Sequence, residues 1–278
     1  MNRPLKKVGI LFHPRIAVAQ ELTQRLAETL SGTASVWVCS AWEEEEARAK
    51  MAGTELVFSI GGDGTMLRAA RIVVPNEAPI LGINMGRLGF MTELSAAEAV
   101  ERAVELVGGG GWLDERAMLQ AEVEGAPILH ALNDVAVVRG GRSRVVYVRT
   151  AIDGASLATY RGDGLIVATA TGSTGYALAA GGPILYPQSK ELLLQPVAAH
   201  LSLTTTLILP PEATVDLQVA TDHQALLSID GQVEVPLDDG ARVRVKRSPH
   251  ISRLLRVRPA TSFYETLAQK LSNKKDWK

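Results

Sequence analysis

The sequence predicts two domains of different fold class, an α/β domain followed by a mainly β domain. The chain has 278 residues, which is more than most single domains contain. Over the first ~110 residues, short apolar runs alternate with helical patterns. Beyond Trp112, apolar strands recur between Asp-Gly and Gly-Gly turns, and helical spacing becomes scarce. These observations favour two cores of different construction.

The first domain is predicted to be a Rossmann-like α/β domain over residues 1–111. Leucines recur every fourth residue between 22 and 30, as on one face of a helix. Residues 95–98, Ser-Ala-Ala-Glu, fit the capping box of another helix, which ends at the four glycines 108–111. Strands that alternate with helices in this way form a parallel sheet covered on both faces. The strands are predicted at residues 8–12, 36–38, 56–60 and 79–84.

The second domain is predicted to be a β-sandwich-like domain over residues 112–258, because alternating strands and tight turns dominate it. Helices are expected only at 174–180 and 188–199. The last segment, 259–278, is predicted to form a helix over 262–272 that packs back on the first domain. The turns of the β region are Gly140-Gly141, Asp153-Gly154, Asp163-Gly164, Asp230-Gly231 and Asp239-Gly240.

Composition excludes several classes of protein. The formal net charge is −1, so nothing draws the whole chain to nucleic acid or to anionic membranes. A single cysteine, Cys39, excludes an intramolecular disulfide framework. No apolar run is long enough to span a membrane, and the first residues do not form a signal-peptide core. We therefore expect a cytoplasmic protein without nucleic-acid or membrane partners.

The most informative segment is Gly61-Gly62-Asp63-Gly64-Thr65, which follows an apolar strand and precedes a helix. Glycines let a ligand approach the backbone closely, and the N–H groups at a helix start attract anions. The segment therefore predicts a phosphate cradle. Asp63 would repel a phosphate at close range, so its presence indicates either a bridging cation or a role in chemistry.

A second glycine-rich segment, residues 169–176, follows the apolar strand at 164–168. Its hydroxyl groups can donate hydrogen bonds to ribose, phosphate or adenine acceptors. Considered alone, such a Ser/Thr/Gly segment is an ordinary loop about as often as it is a binding site. The hydroxyl-bearing residues are Thr171, Ser173, Thr174 and Tyr176.

Taken together, the segments resemble the NAD kinase family over most of the chain. The segment at 169–176 is similar to the Thr-Pro-Thr-Gly-Ser-Thr-Ala-Tyr of that family, with Ala170 in place of proline and Gly175 in place of alanine. Threonines at 204–206 stand where relatives usually carry an arginine. The matching segments are Gly61-Gly62-Asp63-Gly64-Thr65, the residues 82–94, Asn133-Asp134, Asp163-Gly164, Thr169 to Tyr176 and Asp230-Gly231-Gln232.

The resemblance implies a transferase that moves a phosphoryl group from ATP, or from polyphosphate, to the 2′-hydroxyl of the adenosine ribose of NAD, giving NADP. It implies Mg²⁺ or another divalent cation, a homodimer or homotetramer, a first domain for the donor and catalytic loop, and a second domain for NAD. Asp63 is the candidate catalytic residue, and no metal ligands are assigned. The candidate nucleotide-binding residues are Gly61, Gly62, Gly64, Thr65, Arg68, Asn133, Asp134, Arg144, Arg161, Asp163, Thr171, Ser173, Thr174, Gly175, Tyr176, Ala177, Leu178, Ala179 and Gln232.

Two alternatives come from other classes. A lipid or sphingoid kinase shares the glycine cradle but should lack Asn133-Asp134 and the segment 171–176 at these spacings. A non-catalytic NAD(P)-binding regulator would keep the nucleoside segments but would not need Asp63. The sequence leaves open whether ATP or polyphosphate is the donor and whether NADH is accepted beside NAD⁺.

Overall fold

The computed structural model describes residues 4–86, 89–141, 145–199, 203–221 and 223–272. It divides into two compact units. Unit 1 comprises Met1–Glu115 and Ser252–Lys278, and unit 2 comprises Arg116–Ile251. No helix among the described residues is long and apolar enough to cross a membrane.

Unit 1 begins with alternating strands and helices, as the sequence predicts. The capping box is confirmed, because Ser95 accepts the amide of Glu98 while the Glu98 carboxylate accepts the amide of Ser95. Its elements are β1 (Lys7–Phe12), α1 (Ala17–Leu30), β2 (Ser35–Ser40), α2 (Glu44–Lys50), β3 (Leu56–Ile60), α3 (Asp63–Val73), β4 (Ile80–Asn84), β5 (Leu94–Ser95) and α4 (Ala96–Val107).

The strands of unit 1 form a parallel sheet in the order β2-β1-β3-β4. Strands β3 and β4 are buried along their whole length, and their sequences are largely apolar, as expected for strands of a parallel sheet covered on both faces. Parallel strands end at the same edge of a sheet, so the loops after β3 and β4 lie at a common edge. This edge carries the glycine segment.

Unit 2 contains most of the remaining elements. The strand Arg242–Arg256, β17, continues from unit 2 into unit 1, where Leu254 pairs in parallel with Ile80 of β4. The elements that follow α4 are β6 (Trp112–Val123), β7 (Leu129–Ala131), β8 (Asp134–Arg139), β9 (Val146–Ile152), β10 (Ala155–Gly162), β11 (Gly164–Ala168), α5 (Tyr176–Ala179), β12 (Leu192–Val197), β13 (Leu207–Leu209), β14 (Val215–Val219), β15 (Ala225–Ile229), β16 (Val233–Leu237), β17 (Arg242–Arg256) and α6 (Ser262–Ser272).

Two sheets build unit 2. One has the order β10-β9-β14-β17-β6-β7, and the other has the order β13-β12-β11-β8-β15-β16. Side chains from both sheets meet in one apolar cluster, which includes Val137, Val148, Leu165, Leu217 and Leu227. The predicted α/β-plus-β fold class is thus confirmed, with layered sheets in the second half.

Two helix predictions for the second half have different outcomes. The segment at 174–180 does contain a short helix, α5, preceded by the 3-10 turn Gly172–Thr174. The predicted helix over 188–199 is wrong, because this segment contains the strand β12, which pairs antiparallel with β11. A short apolar run fits a buried strand and a buried helix equally well, and here the pairing partner decides. The helix predicted over 262–272 is confirmed as α6.

Candidate active site

The glycine segment links β3 to α3 by a tight turn. A side chain at Gly61 would place its Cβ 2.2 Å from the Thr65 hydroxyl, so only glycine fits there. At Gly62, the helix cap, a Cβ would have no heavy atom within 4 Å. The turn is therefore packed on one side and open on the other, next to the N-terminus of an 11-residue helix. Such an opening suits an anionic ligand.

Asp63, the first residue of α3, is half-buried and is held by the loop that follows β4. Its Oδ2 accepts the amide of Phe90 at 2.9 Å, and its Oδ1 accepts the amide of Met91 at 3.0 Å. A Cβ at Gly89 would lie 1.9 Å from Oδ1, so the loop can approach this closely only because residue 89 is glycine. Each carboxylate oxygen has a second lone pair, so Asp63 keeps capacity to accept a further proton or hydrogen bond.

Thr65 is 1% exposed, and its hydroxyl oxygen has no hydrogen-bond partner within the described part of the chain. A buried hydroxyl without a partner is uncommon in folded proteins. Thr65 therefore adds a polar group to the base of the cradle that the fold itself does not use.

Arg68 lies one turn into α3 and is engaged within unit 1. Its guanidinium is 4.3 Å from the centre of the Trp42 ring and 3.3 Å from a carboxylate oxygen of Glu44. Glu44 also pairs closely with Arg71. Burial alone would raise the pKa of Glu44, but the hydrogen bond and charge of Arg71 hold it below its ordinary value.

In unit 2, four of the predicted residues meet in one cavity of about 470 Å³. They are Asn133, Asp134, Asp163 and Tyr176. Sequence reasoning missed Arg139, which pairs with Asp163 at 3.1 Å. The remaining residues of the cavity wall are Val138, Ser228, Asp230, Gly231 and Glu234.

Asp230 fixes the segment that carries Asn133 and Asp134. It sits with Gly231 in a turn in which both residues have positive φ, 53° and 63°. One Asp230 oxygen accepts the amides of Asn133 at 2.7 Å and Asp134 at 3.1 Å, and the other accepts the amide of Leu132 at 3.0 Å. The side chains of Asn133 and Asp134 are thereby presented to the cavity.

Asn133 and Asp134 differ in what they offer a ligand. The buried Oδ1 of Asn133 has no hydrogen-bond partner among the described residues, so it is a ready acceptor. Burial, together with the nearby charge of Asp230, raises the pKa of Asp134 to about 7. Burial and the neighbouring carboxylates of Asp163 and Asp134 also raise the pKa of Tyr176.

The hydroxyl-rich segment lies beside this cavity, but two of its hydroxyls serve the fold. Ser173 is fully buried, and its oxygen donates to the carbonyl of Ala170 and accepts the amide of Leu185. Thr171 accepts a hydrogen bond from buried Arg116 at 3.2 Å. Only Tyr176 of this segment belongs to the cavity wall.

The other predicted residues in and just after this segment differ in their surroundings. A Cβ at Gly175 would lie 3.4 Å from the side-chain Nδ2 of Asn133. Thr174 donates to the carbonyl of Thr171 at 3.1 Å. Ala177 is fully buried, whereas Leu178 is half-buried and Ala179 exposed.

Two predicted residues among those described, Arg161 and Gln232, do not line the cavity. Exposed Arg161 has its guanidinium 5.7 Å from the centre of the Tyr147 ring. Gln232 directly follows the Asp230-Gly231 turn, and its amide donates to Ile229. Arg144 lies outside the described residues.

The fold and these two loci define a class of protein in which an α/β unit carries an open glycine turn and a layered β unit carries a polar cavity. Residues 14–110 match the family described as ATP-NAD kinase N-terminal domain, and residues 132–257 match the ATP-NAD kinase C-terminal domain. The chain belongs to the NAD kinase family, which confirms the resemblance found in its sequence.

Individual relatives agree over nearly the whole chain. An NAD kinase of Dehalococcoides mccartyi (strain CBDB1) is 42% identical over 272 residues, covering 96% of each chain. An NAD kinase of Chloroflexus aurantiacus is 39% identical and covers 96% of this chain and 99% of its own length.

Two solved structures are similar in fold. An NAD kinase from Archaeoglobus fulgidus in complex with ATP has a TM-score of 0.76 at 25% identity, covering 96% of this chain and 98% of that chain. Yeast NADH kinase complexed with NADH has a TM-score of 0.86 at 22% identity, covering 99% and 90% respectively.

Proposed function

We propose that this chain transfers the terminal phosphoryl group of ATP to the 2′-hydroxyl of the adenosine ribose of NAD⁺, giving NADP⁺. Membership of the NAD kinase family supports the substrates. The observation that carries the chemistry is Asp63, a half-buried carboxylate in a glycine turn that is open at Gly62. A regulator that only bound nucleotides would have no use for a carboxylate at that place.

Asp63 is proposed to orient the ribose hydroxyl and to accept its proton. A hydroxyl group is a weak nucleophile, and a positioned carboxylate typically accelerates such a step by 10²–10⁴-fold. The amides of Phe90 and Met91 fix the direction of both carboxylate oxygens. Gly61, Gly62, Gly64 and Thr65 are proposed to face the donor phosphates. Arg68 is proposed to approach the negative charge of these phosphates.

A divalent cation is proposed to accompany the donor phosphates and to neutralise their charge beside Asp63. Magnesium usually binds through one or two carboxylates together with substrate phosphates, so one carboxylate in the cradle fits this pattern. In a separate group, Cys39, Glu43 and Glu46 each offer one ligand atom, and these three atoms lie within 4.8 Å of one another. Burial and the charge of Glu46 raise the pKa of the Cys39 thiol to about 11, and a protonated thiol is a poor ligand for magnesium.

The cavity of unit 2 is proposed to bind the nucleoside part of NAD. The orphaned Oδ1 of Asn133 can accept a hydrogen bond from an amino or hydroxyl group, while Asp134, Asp163 and Tyr176 supply further polar contacts. Thr171, Ser173, Thr174, Gly175 and residues 177–179 are proposed to shape the wall beside it. Arg144, Arg161 and Gln232 are assigned to the dinucleotide on the resemblance alone.

A cytoplasmic location and a homodimeric or homotetrameric state are also proposed. The single cysteine of the chain is consistent with a reducing compartment. The oligomeric state rests on the family resemblance.

The direct test is an assay of the purified protein with each acceptor, NAD⁺ or NADH, and each donor, ATP or polyphosphate, with and without excess EDTA. We expect NADP⁺ from NAD⁺ and ATP, loss of this activity in EDTA, and recovery when Mg²⁺ is restored in excess. Absence of NADP⁺ with both donors, or phosphorylation of a sphingoid base or diacylglycerol instead, would overturn the proposal. Full activity in EDTA would remove the cation from it.

A further inference from the structure

We propose that Arg256 is a positioning residue for the phosphoryl transfer, acting on Asp63 through the backbone of residues 89–91. The proposal rests on the function proposed for Asp63. Arg256 is the last residue of β17 and does not belong to any of the sequence segments that resemble the family's motifs.

A continuous series of hydrogen bonds joins the two side chains. Asp63 receives the amides of Phe90 and Met91 at 2.9 and 3.0 Å. The carbonyl of Met91 accepts a hydrogen bond from Nη1 of Arg256 at 3.0 Å, and the carbonyl of Phe90 accepts one from Nη2 at 3.5 Å. The same two residues are therefore held by Asp63 through their amides and by Arg256 through their carbonyls.

The guanidinium is itself firmly placed. Arg256 is 8% exposed, and it pairs with Glu93 at 3.0 Å and with Asp114 at 3.2 Å, both of them almost fully buried. The second oxygen of Glu93 accepts the amides of Val257 and Arg258 at 2.8 and 2.7 Å. A planar guanidinium can serve two carboxylates and two carbonyls at once, which a lysine ammonium cannot do in the same geometry.

The distance between residues 89–91 and Asp63 is also closely fixed. A Cβ at Gly89 would meet Asp63 Oδ1 at 1.9 Å, and the Gly89 amide donates to the buried Thr92 hydroxyl at 2.8 Å. A shift of the loop away from Asp63 would lengthen both amide bonds and release the carboxylate from its direction. Misplacement of a reacting group by about 1 Å can cost about 100-fold in rate.

The test is Arg256→Lys. This substitution keeps the positive charge in the buried cluster but loses the planar guanidinium, which donates to both carboxylates and both carbonyls. We expect kcat to fall by about 10- to 100-fold, while KM for NAD⁺ stays within about twofold. Arg258→Lys is the matched control, because the Arg258 side chain pairs with Glu98 at 2.8 Å and is half-exposed. It makes the same substitution two residues away, and its kcat should stay within about twofold of the parent protein. An unchanged kcat in Arg256→Lys would overturn the proposal.

A double-mutant cycle separates positioning from a general structural role. If Arg256 acts through Asp63, then Arg256→Lys should lower the residual turnover of Asp63→Asn by less than twofold. An equal loss in both backgrounds would contradict the proposal, because it would show that Arg256 does not work through this carboxylate. Full turnover in Asp63→Asn alone would instead contradict the function proposed for Asp63. The cycle thus distinguishes a failure of that function from a failure of the positioning role of Arg256.

Removal of one partner from a buried ionic cluster can impair folding. Thermal unfolding of each variant therefore accompanies the kinetics. Should Arg256→Lys not fold, Glu93→Gln takes its place, since it keeps the acceptor for the amides of Val257 and Arg258 but loses the charge that holds the guanidinium. Glu93→Gln is expected to lower kcat by less than Arg256→Lys would, and to leave the residual turnover of Asp63→Asn unchanged. An unchanged kcat in folded Glu93→Gln would overturn the proposal.

Discussion

Asp63 in unit 1 and Asp230 in unit 2 both accept hydrogen bonds from consecutive backbone amides, but their surroundings differ. Asp63 takes one amide on each oxygen and is half-buried at a helix start beside the open Gly62. Asp230 takes three amides and is 8% exposed in a tight turn. The number of amides and the exposure of the carboxylate distinguish the two sites.

If Asp63 has the function proposed for it, the same arrangement of backbone amides around a carboxylate serves chemistry at Asp63 and structural support at Asp230. Asp230 uses its lone pairs to hold the backbone of Asn133 and Asp134, whose side chains then face the cavity. The two backbone amides hold the Asp63 carboxylate in place, and its remaining lone pairs can still accept a hydrogen bond from a ligand. We therefore expect substitutions at the two aspartates to change different kinetic constants.

The largest effect is expected for Asp63→Asn. Turnover should fall by roughly 10²–10⁴-fold, because the amide cannot accept the hydroxyl proton, while the protein should remain folded. Asp230→Asn is the matched substitution and should chiefly raise KM for NAD⁺, since one of its acceptors becomes a donor that faces backbone amides. Steady-state kinetics of both variants, with their thermal unfolding, check this. Near-parental turnover of Asp63→Asn would remove Asp63 from the chemistry.

The next effect concerns the glycine that lets the loop reach Asp63. In Gly89→Ala the new methyl group would lie 1.9 Å from Asp63 Oδ1, so the loop or the carboxylate must move. We expect kcat to fall by about 10- to 100-fold. Gly32→Ala is the control in the same unit, because nothing lies within 4 Å of its new Cβ. Equal kinetics in the two variants would show that the approach of the loop does not matter.

A smaller effect is expected for Asn133→Ala. The loss of one hydrogen bond to a ligand should raise KM for NAD⁺ by about 10-fold or less. KM for ATP should change much less, because the cavity of unit 2 is assigned to NAD. Both constants can be measured by varying one substrate at saturation of the other. Equal increases would contradict that assignment.

The smallest effect is a change of stability with pH. The pKa of Asp134 is raised from 3.8 to about 7, so between these values the folded chain keeps a proton that the unfolded chain has released. The free energy of unfolding should therefore decrease as the pH rises through this window and change no further above it. Asp134→Asn lacks this group. Between pH 5 and pH 8, the melting temperature of Asp134→Asn should therefore fall less than that of the parent protein. The two falls should differ by a few degrees.

The contrary result would be parallel pH profiles for the parent protein and Asp134→Asn. That outcome would show that Asp134 ionises in the folded protein as readily as in the unfolded chain, and it would remove the influence assigned to burial and to Asp230.

The sequence predicted the cradle and Asn133-Asp134 because their signals are local. Glycines between a strand and a helix, and two polar residues that interrupt an apolar run, are visible within a few positions. The partners of these residues were not visible. Phe90 and Met91 are 27 and 28 positions from Asp63, and Arg256 is 165 positions from Met91, so only the folded chain brings them together.

The helix predicted at 188–199 failed for a similar reason. Its apolar residues satisfy a buried strand as well as a helix, and the ladder with β11 decides between them. Ser173 illustrates a third limit. A hydroxyl in a glycine-rich segment suggests a ligand contact, and the sequence does not show that the Ser173 hydroxyl also supports the turn that carries α5.

The central claim, that Asp63 acts on the 2′-hydroxyl of the adenosine ribose, is tested most directly with 2′-deoxy-NAD⁺, the analogue that lacks this hydroxyl on the adenosine ribose. The account predicts that this analogue competes with NAD⁺ for binding but gives no phosphorylated product, and that the product from NAD⁺ carries phosphate at the 2′ position alone. Phosphorylation of the analogue, or phosphate at any other position of the natural product, would contradict the account.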